Sequence, residues 1–220
     1  MKYVGMPMGM WLLYSKSFRD HLVFVFDYDL KTADEVTAKA KWKYRSIIES
    51  LPEFEKEDRF KMNIVNCALV SAFILNMPER PSVEKLTEFY AKAMMNELTK
   101  KFFALAGKNK FSAEDLKGMR QTADLDAADR NPYSWNMDLL EYKEGSGYEA
   151  RFTKCGICTL MNELGLYDLV PAMCSFDYTM AEAAGTYDFV REYTLASGGP
   201  YCDCGYKRKS HPRREEKNYV

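Results

Sequence analysis

The apolar residues of this chain recur with a helical period up to Asp129 and with a period of two beyond it. That change restricts the fold to one in which a helical layer meets a sheet. In the first part, Thr32 with Glu35 predicts a capping box ahead of a helix running to about Ser50, and Ser112 with Asp115 marks a similar start with a shorter acidic partner. A long apolar helix is predicted over residues 54–77, closed by Pro78 and Pro81, with the run Ile64 to Leu75 buried. The next is predicted from Ser82 to about Ala106, with Gly107 as a left-handed cap. After Asp129 the run DRNPYSW brings turn chemistry. Met137 and Leu139, then Tyr148, Ala150 and Phe152, alternate with polar residues on either side of Gly145-Ser146-Gly147, which reads as a hairpin with Glu149 and Arg151 on the opposite face. A second hairpin pairs residues 189–195 with 201–207 through Ser197, Gly198, Gly199 and Pro200, and two short helices lie between the hairpins. The predicted class is α+β. A helical region over residues 1–130 packs as one compact domain with an antiparallel sheet carrying helical insertions over 131–209, followed by a basic flexible tail at 210–220.

A chain of 220 residues can bury a sufficient core without a disulfide or metal. Its formal net charge of -1 supplies no general attraction to nucleic acid or anionic lipid. The run Ile64 to Leu75, interrupted by Asn66, falls short of the roughly 20 residues that cross a bilayer. The opening MKYVGMPMGMWLL carries one early lysine and no small-residue cleavage site, so it is not read as a secretory signal. These features together lead us to expect a cytoplasmic protein whose partner is a small molecule or another copy of itself. Cysteines in a reducing compartment are thiols or thiolate ligands rather than a disulfide framework.

Five of the six cysteines fall between Cys155 and Cys204, and the chain has only two histidines. At about 100° per residue, Ile157, Leu160, Met161 and Leu164 form one stripe of the helix that opens at CGIC, while Cys155, Cys158, Thr159 and Asn162 cluster on the other side. A helix predicted from Leu169 to Met180 sets Cys174, Asp177 and Tyr178 beside its apolar face. In the last strand Cys202, Cys204 and Tyr206 share one face and Asp203 takes the other. Four readings fit this segregation. The sulfurs are small buried hydrophobes, or Cys155, Cys158, Cys174 and Cys202 ligate zinc, or CGIC is a redox pair at a helix start, or the group is a catalytic thiolate or substrate pocket. His21 reads as a hydrogen-bonded structural residue, and His211 lies in the tail.

The order CGICTLMNELGLYDLVPAMCSFDYTMAEA, then FVREYTLASGGPYCDCGY, resembles the L-2-amino-thiazoline-4-carboxylic acid hydrolase family, common in anaerobic bacteria, over residues 130–209. In the helical half, SKSFRDHL and LPEFEKEDRF share its general character. The resemblance implies a hydrolase that opens the five-membered ring of a cyclic amidine, yielding a product such as S-carbamoyl-L-cysteine. By motif position it maps Cys155, Cys158, Cys174, Asp177 and Cys202 onto the family's polar set. Cys204 stands where many members carry an aromatic residue, which ranks Cys202 above it. The resulting expectation is attack on the ring carbon by Cys174 or Cys202, or by water on a cysteine-bound metal, with Asp177 as general acid or base. Arg151 and Arg191 are the candidates for the substrate carboxylate, and Tyr178 and Asn162 complete the candidate pocket. The residues make no cofactor certain, and zinc is the one that the cysteines could take. The contrasting expectation is a non-catalytic small-molecule-binding module braced by a four-cysteine zinc site.

Overall fold

The computed structural model describes residues 7–55, 57–128 and 130–209. Helices α1 (Pro7–Phe26), α2 (Leu30–Ser50), α3 (Lys61–Ile74), α4 (Val83–Met94), α5 (Glu97–Asn109) and α6 (Ala113–Ala128) fill the N-terminal half. Helix α3 is apolar on all sides, so it sits at the centre, with every residue from Val65 to Ile74 except Asn66 buried. Trp11 and Phe18 of α1 stack on Phe73 from one side, and Phe18 meets Phe89 of α4 edge-on at 5.3 Å. No helix among the described residues is long and apolar enough to cross a membrane. His21 is structural, its Nδ1 lying 2.7 Å from the Ser17 carbonyl.

Three predicted boundaries move, each for a local reason. The cap of α2 is Asp29, whose carboxylate accepts from Thr32 N at 2.7 Å, so the Thr32 capping box does not form. The helix predicted over 54–77 begins only at Lys61. There the buried Asp58 carboxylate accepts from the backbone of Phe60 and Lys61 and from the Ser134 hydroxyl, which ties the helix start to the chain entering the sheet. The helix predicted from Ser82 to Ala106 is two helices. Asn96 breaks it by accepting from Thr99 N at 3.0 Å and starting α5 as a new N-cap. The Ser112 cap of α6 forms as predicted, accepting from Asp115 N at 3.1 Å.

Gly107 is therefore inside α5 rather than capping it. A Cβ there would lie 2.8 Å from the Ala184 carbonyl oxygen and 2.9 Å from Thr186 Oγ1, which donates to the Gly107 carbonyl. The obstruction is partly backbone and cannot swing aside. Gly107→Ala is expected to lower stability by about 1–3 kcal/mol, read by urea denaturation, because the α5 contact with the end of the last helix must open. An unchanged midpoint would mean that this contact has slack.

The second half holds strands β1 (Asn136–Glu141), β2 (Gly147–Lys154), β3 (Tyr187–Val190) and β4 (Cys202–Arg208) in one antiparallel sheet of order β1-β2-β4-β3. The two predicted hairpins are present, and β2 pairs with β4 to join them, Phe152 opposite Cys202 and Ala150 opposite Cys204. The second hairpin has a longer connection than its glycines suggested. Its first strand starts at Tyr187 and stops at Val190, where Asp203 turns to accept from the backbone of Glu192 and Tyr193. Between the hairpins run α7 (Gly156–Glu163), α8 (Val170–Cys174) and α9 (Phe176–Ala184). Leu160, Met161, Val170, Ala172 and Phe176 pack into the same core as α1 to α4, so these helices belong to the helical layer rather than decorating the sheet. The inner sheet face, with Tyr148, Ala150, Cys202 and Cys204, forms a second core against Met119 of α6 and Ala181 and Ala184 of α9. The basic tail lies outside the described residues.

Candidate functional site

Strand β2 delivers the chain to Cys155, the N-cap of α7, and the helix leaves at once because the next residue is glycine. A side chain at position 156 would collide with the Tyr133 backbone, so CGIC needs its glycine for a close crossing of two chain segments. This crossing fixes Cys155 over the first turn of α7. Its thiol pKa is lowered from the usual value chiefly by the neighbouring Cys158 thiol, against the opposing effect of burial, and also by the nearby backbone N–H groups of Cys158 and Ile157 and the Trp135 indole, although the sulfur closes no capping hydrogen bond. The start of a helix favours negative charge for the same reason. Cys158 is pushed strongly up by its hydrogen bond to Cys155 and by burial. Its place at the start of α7 thus favours charge on Cys155 within the pair.

The helix predicted from Leu169 to Met180 breaks at Ser175 into α8 and α9. Arg191, just beyond β3, fills the break: one guanidinium nitrogen donates to the Cys174 carbonyl at 3.0 Å and the other to Asp177 at 2.7 Å. The arginine side chain is 8% exposed and the carboxylate 27%, so the pair is largely desolvated. Burial raises Asp177 to about 6 although Arg191 pulls the other way. The carboxyl group can therefore hold or give a proton close to neutrality.

Cys202 and Cys204 lie on the inner face of β4 as the alternation predicts, both buried, with the Cys202 sulfur accepting from Leu195 N at 3.2 Å. Burial raises Cys174 to about 12 and also pushes Cys202 and Cys204 up, with Arg191 opposing in each case. Cys202 feels the charge of both Cys155 and Asp177, and Cys158 that of Cys174 and Cys202. Helices α7 and α8 and strand β4 thus bring Cys155, Cys158, Cys174 and Cys202 into one electrostatic neighbourhood, with the Asp177–Arg191 pair at its edge.

Other expected site residues lie elsewhere. Arg151 is on the outer sheet face, opposite Asp203, ion-paired with Glu149 at 2.7 Å and stacked over the Tyr201 ring at 4.3 Å. Asn162 is exposed, one turn further along α7 than Cys158. Tyr178 is 46% exposed and packs edge-on against Phe189, with the Arg191 guanidinium 5.5 Å from its ring. Tyr167 and Trp135 had no sequence signal. The Tyr167 hydroxyl bonds to the Leu195 carbonyl at 3.1 Å and also interacts with Cys158, and Trp135 touches Cys155. For the four-cysteine zinc set, the structure offers no assembled ligand group: among the described residues no three His, Cys, Asp or Glu side chains are placed to hold a metal ion.

Asp177 also faces a separate cavity of about 720 Å³ within the helical layer, reaching Ile157 and Met173 on the near side and α1, α3 and α5 on the far side. None of the described cysteines lines it.

The family model of L-2-amino-thiazoline-4-carboxylic acid hydrolase matches residues 62–206, from the start of α3 to the end of the sheet and including every cysteine discussed above. The chain belongs to this family. No curated protein and no solved structure matches it.

Proposed function

We propose that this member of the L-2-amino-thiazoline-4-carboxylic acid hydrolase family opens a cyclic amidine ring by thiolate attack from Cys155, with Asp177 managing the proton. The observation that carries the reading is the CGIC turn, where a half-buried thiol stands as the N-cap of α7 beside the Cys158 thiol and the Trp135 indole, surroundings that favour its ionised form. Cys174 and Cys202, favoured by sequence reasoning as attacking groups, are held as thiols by burial and form the wall of the site.

For a 2-amino-thiazoline ring the steps balance as follows. The Cys155 sulfur bonds to the carbon between ring nitrogen and ring sulfur, and the bond from that carbon to the ring nitrogen breaks. The departing nitrogen takes a proton from Asp177. Water then adds to the enzyme-bound carbon and gives a proton to the Asp177 carboxylate. Collapse expels the Cys155 thiolate and releases a carbamoyl thioester such as S-carbamoyl-L-cysteine. One water is consumed, and the enzyme returns to its starting protonation state. Cys158 donates to the Cys155 sulfur whenever that sulfur leaves as thiolate.

The test incubates the purified protein with L-2-amino-thiazoline-4-carboxylate and follows the product by mass spectrometry. A covalent adduct on the peptide containing Cys155 after acid quench is the expected second signal. No turnover of this ring, or of related cyclic amidines and thiazolines, would sink the reading.

Asp177 also sets a pH dependence. The first step needs its acid form, and with the pKa raised to about 6 that form is lost above pH 6. Because the same step needs Cys155 ionised, kcat/KM is expected to follow the product of the two fractions, with a falling limb that approaches about tenfold per pH unit only once the pH exceeds both pKa values. Asp177→Asn should lower the rate and flatten this limb. A limb unchanged in the variant would remove Asp177 from the proton path.

A further inference from the structure

We infer that Cys155 and Cys158 form a reversible disulfide by exchange with a low-molecular-weight disulfide, which makes the CGIC turn an oxidation site as well as the place of the proposed nucleophile. The consequence for ring opening rests on the role given to Cys155 above, and the disulfide itself does not.

Placement carries the inference. Cys155 is the N-cap of α7, with extended backbone at φ −136° and ψ 115°, and Cys158 is the third residue of the helix. Side chains at these two positions meet, as they do in the reciprocal contacts of a capping box. Helix geometry sets Cα atoms three residues apart at about 5 Å, within the roughly 4.4–6.8 Å that a disulfide bridges. The two thiols are already hydrogen-bonded to one another. Both residues are half-buried, whereas Cys67 is sealed in the core. The turn that holds them is also well anchored, with Gly156 close against the Tyr133 backbone and Leu160 and Met161 burying the next turn. The other nearby sulfurs are placed less well: Cys174 ends α8, and Cys202 opens β4 with its sulfur engaged by Leu195 N at 3.2 Å.

The exchange balances in two steps. The Cys155 thiolate attacks one sulfur of the oxidant, the oxidant's S–S bond breaks, and one thiolate leaves. Cys158 gives its proton to that thiolate, attacks the Cys155 sulfur and expels the second thiolate. The second thiolate takes up from solvent the proton that Cys155 released on ionising. The two cysteines lose two electrons between them, and the oxidant becomes two thiols. Cys158 is freed for the second step by the first. Its hydrogen bond to Cys155 is the chief cause that keeps it protonated, followed by burial and then by the Cys155 charge. A mixed disulfide at Cys155 weakens the first and abolishes the last. Oxidation then leaves ring opening without its attacking sulfur, and reduction restores it.

The test uses the full chain, reduced and then incubated with oxidised glutathione at neutral pH. Remaining thiols are blocked with N-ethylmaleimide, and trypsin with a glutamyl endopeptidase releases residues 155–163 as one peptide. Mass spectrometry is expected to find this peptide unblocked and two hydrogens lighter than its reduced form, before any other cysteine is oxidised, and dithiothreitol should reverse the change. Cys174→Ser and Cys202→Ser should oxidise in the same way. Cys158→Ser should instead stop with glutathione attached to Cys155, which identifies the residue that completes the exchange. Ring opening by the parent should fall in proportion to the disulfide and return on reduction. A parent that stops at the glutathione adduct, a first disulfide to Cys174 or Cys202, or a peptide that stays reduced would overturn the inference. Ring opening that persists in the fully oxidised protein would strike Cys155 as nucleophile, and a reduced protein that opens no ring would strike the reaction. Neither changes the mass of the peptide, so the oxidation site and the proposed reaction fail separately.

Discussion

Cys155→Ser is expected to lower kcat for ring opening by at least about 10³-fold while the thermal transition stays within a few degrees of the parent, since a hydroxyl replaces the thiolate that attacks. Serine is close in size and is itself a favoured N-cap residue, so the local fold of α7 should hold. It does not ionise near neutrality, and the Cys158 donor then has no anion to stabilise. Cys174→Ser and Cys202→Ser provide the comparison, because their thiols are held protonated by burial and the proposal assigns them no bond to substrate. Both are expected to keep more than about a tenth of the parent rate, the ordinary scale for a wall residue rather than a nucleophile. Chemical labelling gives an independent reading: iodoacetamide at neutral pH should modify Cys155 first among the six cysteines, since alkylation follows the thiolate. An active serine variant, or first labelling at Cys174 or Cys202, would transfer the nucleophile to another sulfur.

The parts of this site that follow from alternation were legible in the sequence, and those that depend on a neighbour from a distant segment were not. Cys202, Cys204 and Tyr206 share a face because a strand repeats every two residues, and β4 keeps that pattern without a bulge. The same alternation places Arg151 on the face opposite to Ala150 and Phe152, away from the cysteines of β4. Helical angle groups Asn162 with Cys155 and Cys158, but angle carries no depth, and the residue ends at the exposed end of a short helix. The choice of Cys155 over Cys174 rests on Trp135, on the first turn of α7 and on the Tyr133 crossing, none of which periodicity can reveal. The break at Ser175 has no proline or glycine to announce it. It depends on Arg191 from beyond β3, which supplies a donor for the Cys174 carbonyl. The cavity escaped notice for a related reason: its walls come from seven helices spread from Met10 to Met180.

Arg191→Met is expected to destabilise the protein by about 3–5 kcal/mol at pH 8, the usual cost of leaving one member of a buried ion pair alone. The arginine is nearly inaccessible, its partner carboxylate is three-quarters covered, and the Cys174 carbonyl loses its donor in the same substitution. The pH dependence separates charge from packing. Asp177 already has a folded pKa above its unfolded value, so between the two the folded state binds the extra proton and stability falls as pH rises. Arg191 works against that rise, and without it the folded pKa of Asp177 climbs further, extending the window of falling stability upward beyond pH 6. The variant should therefore lose most at pH 8 and recover part of the loss at pH 5, where the lone carboxyl group is protonated and no longer buried as a charge. Urea denaturation at the two pH values reads this directly. Pairing the change with Asp177→Leu should return much of the lost stability at pH 8, because no unpaired charge is then left in the interior. Equal losses at both pH values, or no recovery in the double variant, would mean that Arg191 serves the fold through its contacts with Cys174, Tyr178 and Phe189 rather than by holding Asp177.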